Sequence, residues 1–284
     1  MACKAREPNN AAAATRVTIQ MRGTGNSSPG DWRGWLVLSV ALVAVVVTLL
    51  VPRIPQDESY HAFADGRTIA GIPNFWNVIS NLPFLLVGIY GLFQTPRLAS
   101  RSLWPAYIVF CVAVFGVGLG SAYYHYAPSN PTLVWDRCPM SLAFMAVFAL
   151  ILGDRMNPAL GRTFLGPLLV LGAASVFYWA WTESRGVGDL RPYALVQFLP
   201  FVLMALMLLI YPGSRASASW VWWAFCMYFL AKLAEHFDAP IYRLVGLSGH
   251  TLKHLLSAVC VLFALFALLH LESPERRRST GRGF

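Results

Sequence analysis

Charge is scarce in this 284-residue chain: Asp, Glu, Lys and Arg together make up 12% of it, against roughly a quarter in a soluble domain. That shortage excludes a water-exposed surface over most of its length. The 57% hydrophobic content supplies the alternative, a polytopic membrane protein. Acids are scarcer than bases, 13 against 22, which leaves a formal net charge of +9. The excess does not build a basic groove for nucleic acid. The arginines sit in tails and in short loops between apolar runs, the pattern of topology signals. Cysteine is thin and scattered (positions 3, 111, 138, 226 and 260), and no C-x-x-C occurs. Neither a disulfide framework nor a cysteine zinc site is therefore expected.

What the chain does have is long apolar runs. Residues 1–33 are polar, rich in Ala, Asn, Gly and Ser, and read as a disordered tail, with Met21 as an alternative start. Residues 34–52 form the first apolar run. A cleaved signal peptide is the rival reading, disfavoured by the length of the run and by the lack of a clean A-x-A site after it. Further helices are expected at about 74–94, 104–126, 134–152, 164–182, 192–211, 219–236 and 251–271, separated by loops rich in Pro, Gly, Asn and Ser. The fold class is all-α integral membrane, with eight spans.

Alternating the loops across the membrane sorts the charges. One side receives Lys4, Arg6, Arg16, Arg22, Arg33, Arg97, Arg101, Arg155, Arg162, Arg215 and the basic tail 272–284. The other receives Asp57, Glu58, Asp65, Glu183, Asp189 and Asp238. The positive-inside rule then puts both termini in the cytoplasm. In a bacterial inner membrane, which the short loops suit, the opposite side is the periplasm.

On this topology, five polar residues distant in sequence share one membrane depth, at the outer ends of their helices. Ser121 and His125 end the third span, Asp136 begins the fourth, and His250 and His254 begin the eighth. Ionisable groups at membrane depth are costly and point by default to function. Ser121 and His125 are one helical turn apart, as are His250 and His254, so each pair shares a face. Three imidazoles suit a tetrahedral Zn2+ with one open position for water. Asp136 is placed for proton transfer and Ser121 for oxyanion stabilisation. An amide or ester carbonyl of a lipid is the natural target. Blander roles compete: a His packed in a span, an acid at a helix N-terminus for Asp136, and a small interface residue for Ser121 after the Gly116–Gly120 pair. Ser121 is not read as a covalent nucleophile, because its surroundings lack a nucleophile elbow.

Four segments in register carry a resemblance. They are Asn74-Phe75-Trp76-Asn77-Val78-Ile79-Ser80-Asn81, Gly120-Ser121-Ala122-Tyr123-Tyr124-His125, Asp136-Arg137-Cys138-Pro139-Met140 and His250-Thr251-Leu252-Lys253-His254. Together they resemble the alkaline ceramidase family, part of a seven-span membrane hydrolase superfamily that includes the adiponectin receptors. The resemblance covers about residues 60–270. It implies a seven-transmembrane-helix core at 60–271, so that 34–52 is one additional N-terminal transmembrane helix. It also implies zinc on His125, His250 and His254, with Ser121 and Asp136 in the catalytic shell. The implied reaction is hydrolysis of the N-acyl bond of a ceramide-like lipid to a sphingoid base and a fatty acid.

Two departures from the family pattern stand out. The stretch Tyr60–Asp65 and Asn74 replace an acidic calcium-binding segment, so calcium is not expected, and Arg137 replaces an acid beside Asp136. Asn77, Ser80 and Asn81 are expected to bond neighbouring helices. Glu235, His236 and Asp238 are expected at the interface, Lys253 turned away from the histidines, and His61 without a role. No nucleic-acid or protein partner is expected beside the lipid substrate. Two rival readings are a lipid-binding receptor or sensor with a structural zinc, and a haem electron carrier with histidine axial ligands. Three histidines on one side of the membrane disfavour the haem reading.

Overall fold

The computed structural model describes residues 32–98 and 100–271. The two expected tails, apart from Trp32 and Arg33, lie outside these residues, as does Met21. The described residues form α-helices with no β-strand: α1 (Trp32–Leu50), α2 (Phe75–Ile79), α3 (Leu82–Gln94), α4 (Trp104–Tyr126), α5 (Asn130–Arg155), α6 (Pro158–Ser184), α7 (Arg191–Ile210), α8 (Arg215–His236), α9 (Asp238–Val245) and α10 (Gly249–Leu269). Seven segments are long and apolar enough to cross a membrane: α1, α2 with α3, α4, α5, α6, α7 and α10. At 22 residues, α8 also has spanning length, about 33 Å at 1.5 Å per residue. It carries Arg215, Lys232 and Glu235 among its apolar residues. The chain is an all-α multi-pass membrane protein.

Helix starts follow local chemistry. Ser129 caps α5 by accepting from Thr132 N–H at 3.3 Å, and Asn157 caps α6 by accepting from Ala159 N–H at 2.8 Å. Each cap satisfies one amide that the first turn leaves without a helical partner. Pro131 and Pro158 follow in that turn, where proline's missing donor costs nothing.

The expected helix at 74–94 is broken at Ser80–Asn81 into α2 and α3. Pro83, in the first turn of α3, has no N–H to return to the preceding turn. Side chains fill the gap: Asn81 Nδ2 donates to the Asn77 carbonyl at 2.7 Å and Ser80 Oγ to the same carbonyl at 3.2 Å. The short helix α9 falls where a loop was expected. It ends at Gly246, whose φ of 71° is the left-handed conformation of a helix stop.

The helices pack chiefly as α8 on α10, α4 on α5, α5 on α6 and α3 on α4. Tyr107, Phe110, Val114, Ala146, Leu150, Leu265 and Leu268 form the central core. Helix α1 buries only Val37 and packs in a cluster with Tyr211 and Met207. Arg155 was expected as a free loop charge, but it is buried and paired with Asp154 at 3.0 Å.

Between lipid-soluble helices, close approach rather than water exclusion drives packing, and small residues make the approach possible. A Cβ at Gly120 would collide with the Trp135 carbonyl of α5. The same glycine contact therefore sets Ser121 on α4 next to Asp136 on α5. Gly120→Ala is expected to cost about 1–3 kcal/mol, the usual range for overpacking. It should appear as a lowered thermal midpoint in detergent, together with weakened activity.

Candidate metal centre

The structure brings His125, His250 and His254 together. Each is buried, and one ring nitrogen from each lies within 4.8 Å of the others. The ring centroids are 4.7–5.0 Å apart. His125 comes from the last turn of α4, and His250 and His254 from the first two turns of α10. The one-turn spacing on α10 is what aims two rings at one point.

The surroundings fit a metal ion. His125 Nδ1 is buried and has no hydrogen-bond partner, which is costly for a nitrogen unless something coordinates it. His254 Nδ1 is held by Ser80 Oγ at 2.8 Å, leaving Nε2 for a ligand, the usual way a neighbouring group fixes a metal-binding tautomer. The break between α2 and α3 is what places Ser80 there. The His250 backbone N–H donates to Asp238 Oδ1 at 3.0 Å, and Asp238 Oδ2 accepts from Ala64 N–H at 2.9 Å.

The segment 51–74 folds over the trio as a lid. Phe63 packs its ring 4.7 Å from those of both His125 and His250. His61 ties the segment down through Tyr124 OH at 2.9 Å and Asn130 Oδ1 at 3.0 Å. Asn74 Nδ2 donates to the His125 carbonyl at 2.9 Å. Asp65 is held by Arg67 through Nη2 at 2.6 Å and Nε at 2.8 Å. That pairing keeps its carboxyl below the usual carboxylate range.

Ser121 and Asp136 interact with each other through a hydrogen bond. Both line a cavity of about 90 Å³ shared with His254, whose deeper wall is Val114, Val117, Phe144, Phe201 and Val261. The five polar residues expected at one depth therefore meet in one place. Lys253 corrects the expectation made for it, because it also lines the cavity. At three residues after His250 it shares that face, with Nζ 3.5 Å from His250 Nε2. Asp238 and Glu235 also belong to the surroundings of the site, while His236 packs on Phe237. Sequence reasoning gave no role to Phe63 or His61, since no local pattern marks a loop that closes over distant helices.

Ser80→Ala is expected to weaken metal affinity by about 10–100-fold while leaving the fold intact. A titration against a competing chelator, beside a circular-dichroism control, checks it.

The fold and the trio define a helical membrane protein with a buried three-histidine centre open to an apolar cavity. The sequence matches the family model described as Ceramidase over residues 67–233. That stretch is more than half of the chain, and the chain belongs to the ceramidase family. The match contains Ser121, His125 and Asp136 and ends ahead of His250 and His254. A comparison with curated proteins finds no match.

Proposed function

We propose that the chain is a zinc-dependent amidohydrolase that cleaves the N-acyl bond of a ceramide-like lipid, releasing a sphingoid base and a fatty acid. The observation that carries this reading is the buried trio of His125, His250 and His254 in a chain of the ceramidase family. These three residues would hold the ion. Zinc in such a site supplies Lewis acidity and a nucleophile at neutral pH.

The chain's own residues supply the rest. Asp136 accepts a proton from the attacking water and passes it to the leaving amine. The Ser121 hydroxyl donates to the oxygen that becomes negative in the transition state. The apolar wall formed by Val114, Phe144 and Phe201 takes the hydrocarbon chain, and Phe63 over the histidines limits bulk water.

In this reading 34–52 is an added span and 60–271 the ceramidase-like membrane domain, supported by the family match over residues 67–233. In the same reading both termini are cytoplasmic and the site faces the periplasm of an inner membrane, supported by the basic residues that gather on one side when the loops alternate.

The test is elemental analysis of detergent-purified full-length protein together with a ceramide hydrolysis assay. About one zinc per chain, activity lost on chelation and restored by zinc is the expected result. Turnover by metal-free protein would sink the mechanism.

A further inference from the structure

Two cations stand at the outer end of this site, and the charges around them do not balance. Lys253 lines the cavity beside Ser121 and Asp136. Its carboxylate partner is Glu235, at 2.5 Å. The other oxygen of that same carboxylate is taken by Lys232, also at 2.5 Å. One carboxylate therefore serves two ammonium groups, and with Asp136 counted beside it the cations Lys232, Lys253 and Arg137 still outnumber the carboxylates.

The second cation is Arg137. It shares the Tyr60 ring with Lys253: Arg137 Cζ is 5.6 Å and Lys253 Nζ 5.9 Å from that ring's centroid. Arg137 is 6% exposed. Its Nη2 donates to the neutral Gln56 Oε1 at 2.6 Å, and the Trp179 and Tyr193 rings flank it at 4.2 and 4.8 Å. Its Nη1 is buried without a hydrogen-bond partner. Among the described residues, no carboxylate forms an ion pair with it. A buried guanidinium with no ion-pair contact is costly. Aromatic faces offset part of that cost but do not satisfy Nη1.

We propose that this chain takes an N-acyl lipid whose amine-side group carries an oxyanion, a carboxylate or a phosphate, close to the scissile amide, and that Lys253 and Arg137 recognise it. This rests on the hydrolase reading of the same site. The geometry sets the orientation. The apolar wall runs inward from Ser121 and Asp136 and accepts the acyl chain. The amine side then faces the helix ends and the 51–74 segment, where Lys253, Tyr60 and Arg137 lie. An oxyanion there gains charge-assisted hydrogen bonds in a site shielded from water. Hydrolysis is unchanged in kind: the C–N bond breaks, the oxygen of water joins the acyl carbon, and the amine takes the proton.

The experiment uses the full-length, metal-loaded protein and two matched pairs of probes. N-palmitoylglycine is compared with uncharged N-palmitoylglycinamide, and N-palmitoyl phosphoethanolamine with N-palmitoylethanolamine. Binding is read by displacement of a fluorescent fatty acid and cleavage by release of palmitate. The charged member of at least one pair is expected to bind about tenfold or more tightly, the scale of one charge-assisted hydrogen bond. Which pair shows the preference tells carboxylate from phosphate. Lys253→Gln and Arg137→Gln are each expected to shrink that ratio, and Lys253→Arg to retain it. The ratio is the readout because a loss of folding lowers both members alike.

Equal affinity within both pairs overturns the proposal, as does a preference that survives in both glutamine variants. Charge-selective binding without cleavage of any probe supports the head-group assignment and removes the hydrolase reading. Cleavage of charged and neutral probes at equal efficiency, with equal affinity, does the reverse.

Discussion

Replacing His125 with alanine is expected to abolish stoichiometric metal binding and, with it, amide hydrolysis. His125 supplies the only one of the three imidazoles that does not come from α10, so without it α4 has no hold on the centre. Loss of a neighbour that merely orients a ligand costs about 10–100-fold in metal affinity, and loss of the ligand itself should exceed that. His254→Ala should behave in the same way. The measurement is zinc per chain after dialysis against a chelator that the wild type withstands, with thermal unfolding as the control for the fold. Wild-type metal content in His125→Ala would show that the trio is not the binding site.

Asp136→Asn separates chemistry from metal binding. The side chain keeps its size, and the amide keeps a hydrogen bond to Ser121, but it cannot take up a proton. Asp136 is not one of the three clustered ligands, so zinc content should stay at the wild-type value. Turnover should fall by about 10²–10⁴, the range for loss of a general acid–base. Parallel measurement of metal content and kcat checks both halves. Loss of metal along with activity would make Asp136 part of the binding set, and undiminished kcat would remove it from the proton path.

The two variants differ most in what they leave behind. His125→Ala leaves an apolar cavity with a proton acceptor and no metal. Asp136→Asn leaves the metal with no proton acceptor. A sensor with a structural zinc would lose metal in the first variant and show no activity to lose in the second, so the pair also tests the receptor reading.

Much of the fold was legible from hydropathy alone, since a helix in lipid must satisfy its own backbone and needs about 20 apolar residues to cross. The α4 boundaries, Trp104–Tyr126, agree with the expected 104–126. The site was legible for a related reason. Polar residues are rare in apolar runs, and the i,i+4 spacing of His250 and His254 states its own geometry once the helix is granted. Counting loops then carried Ser121, His125, Asp136 and the α10 histidines to one depth.

What the sequence determined by itself was therefore the helical membrane class, the order of the spans and the identity of the clustered polar residues, all consequences of local backbone and solvent rules. Tertiary structure decided the rest. It broke α2 from α3 so that Ser80 meets His254, brought Phe63 and His61 over the site from a loop without periodicity, and paired Arg155 with Asp154. It also gathered Lys253, Glu235 and Lys232 into one charged cluster and left Arg137 Nη1 without a partner. Apart from the neighbours Asp154 and Arg155 and the one-turn pair Lys232–Glu235, these depend on which distant groups stand within a few ångströms of one another, and no local pattern in the chain encodes that distance.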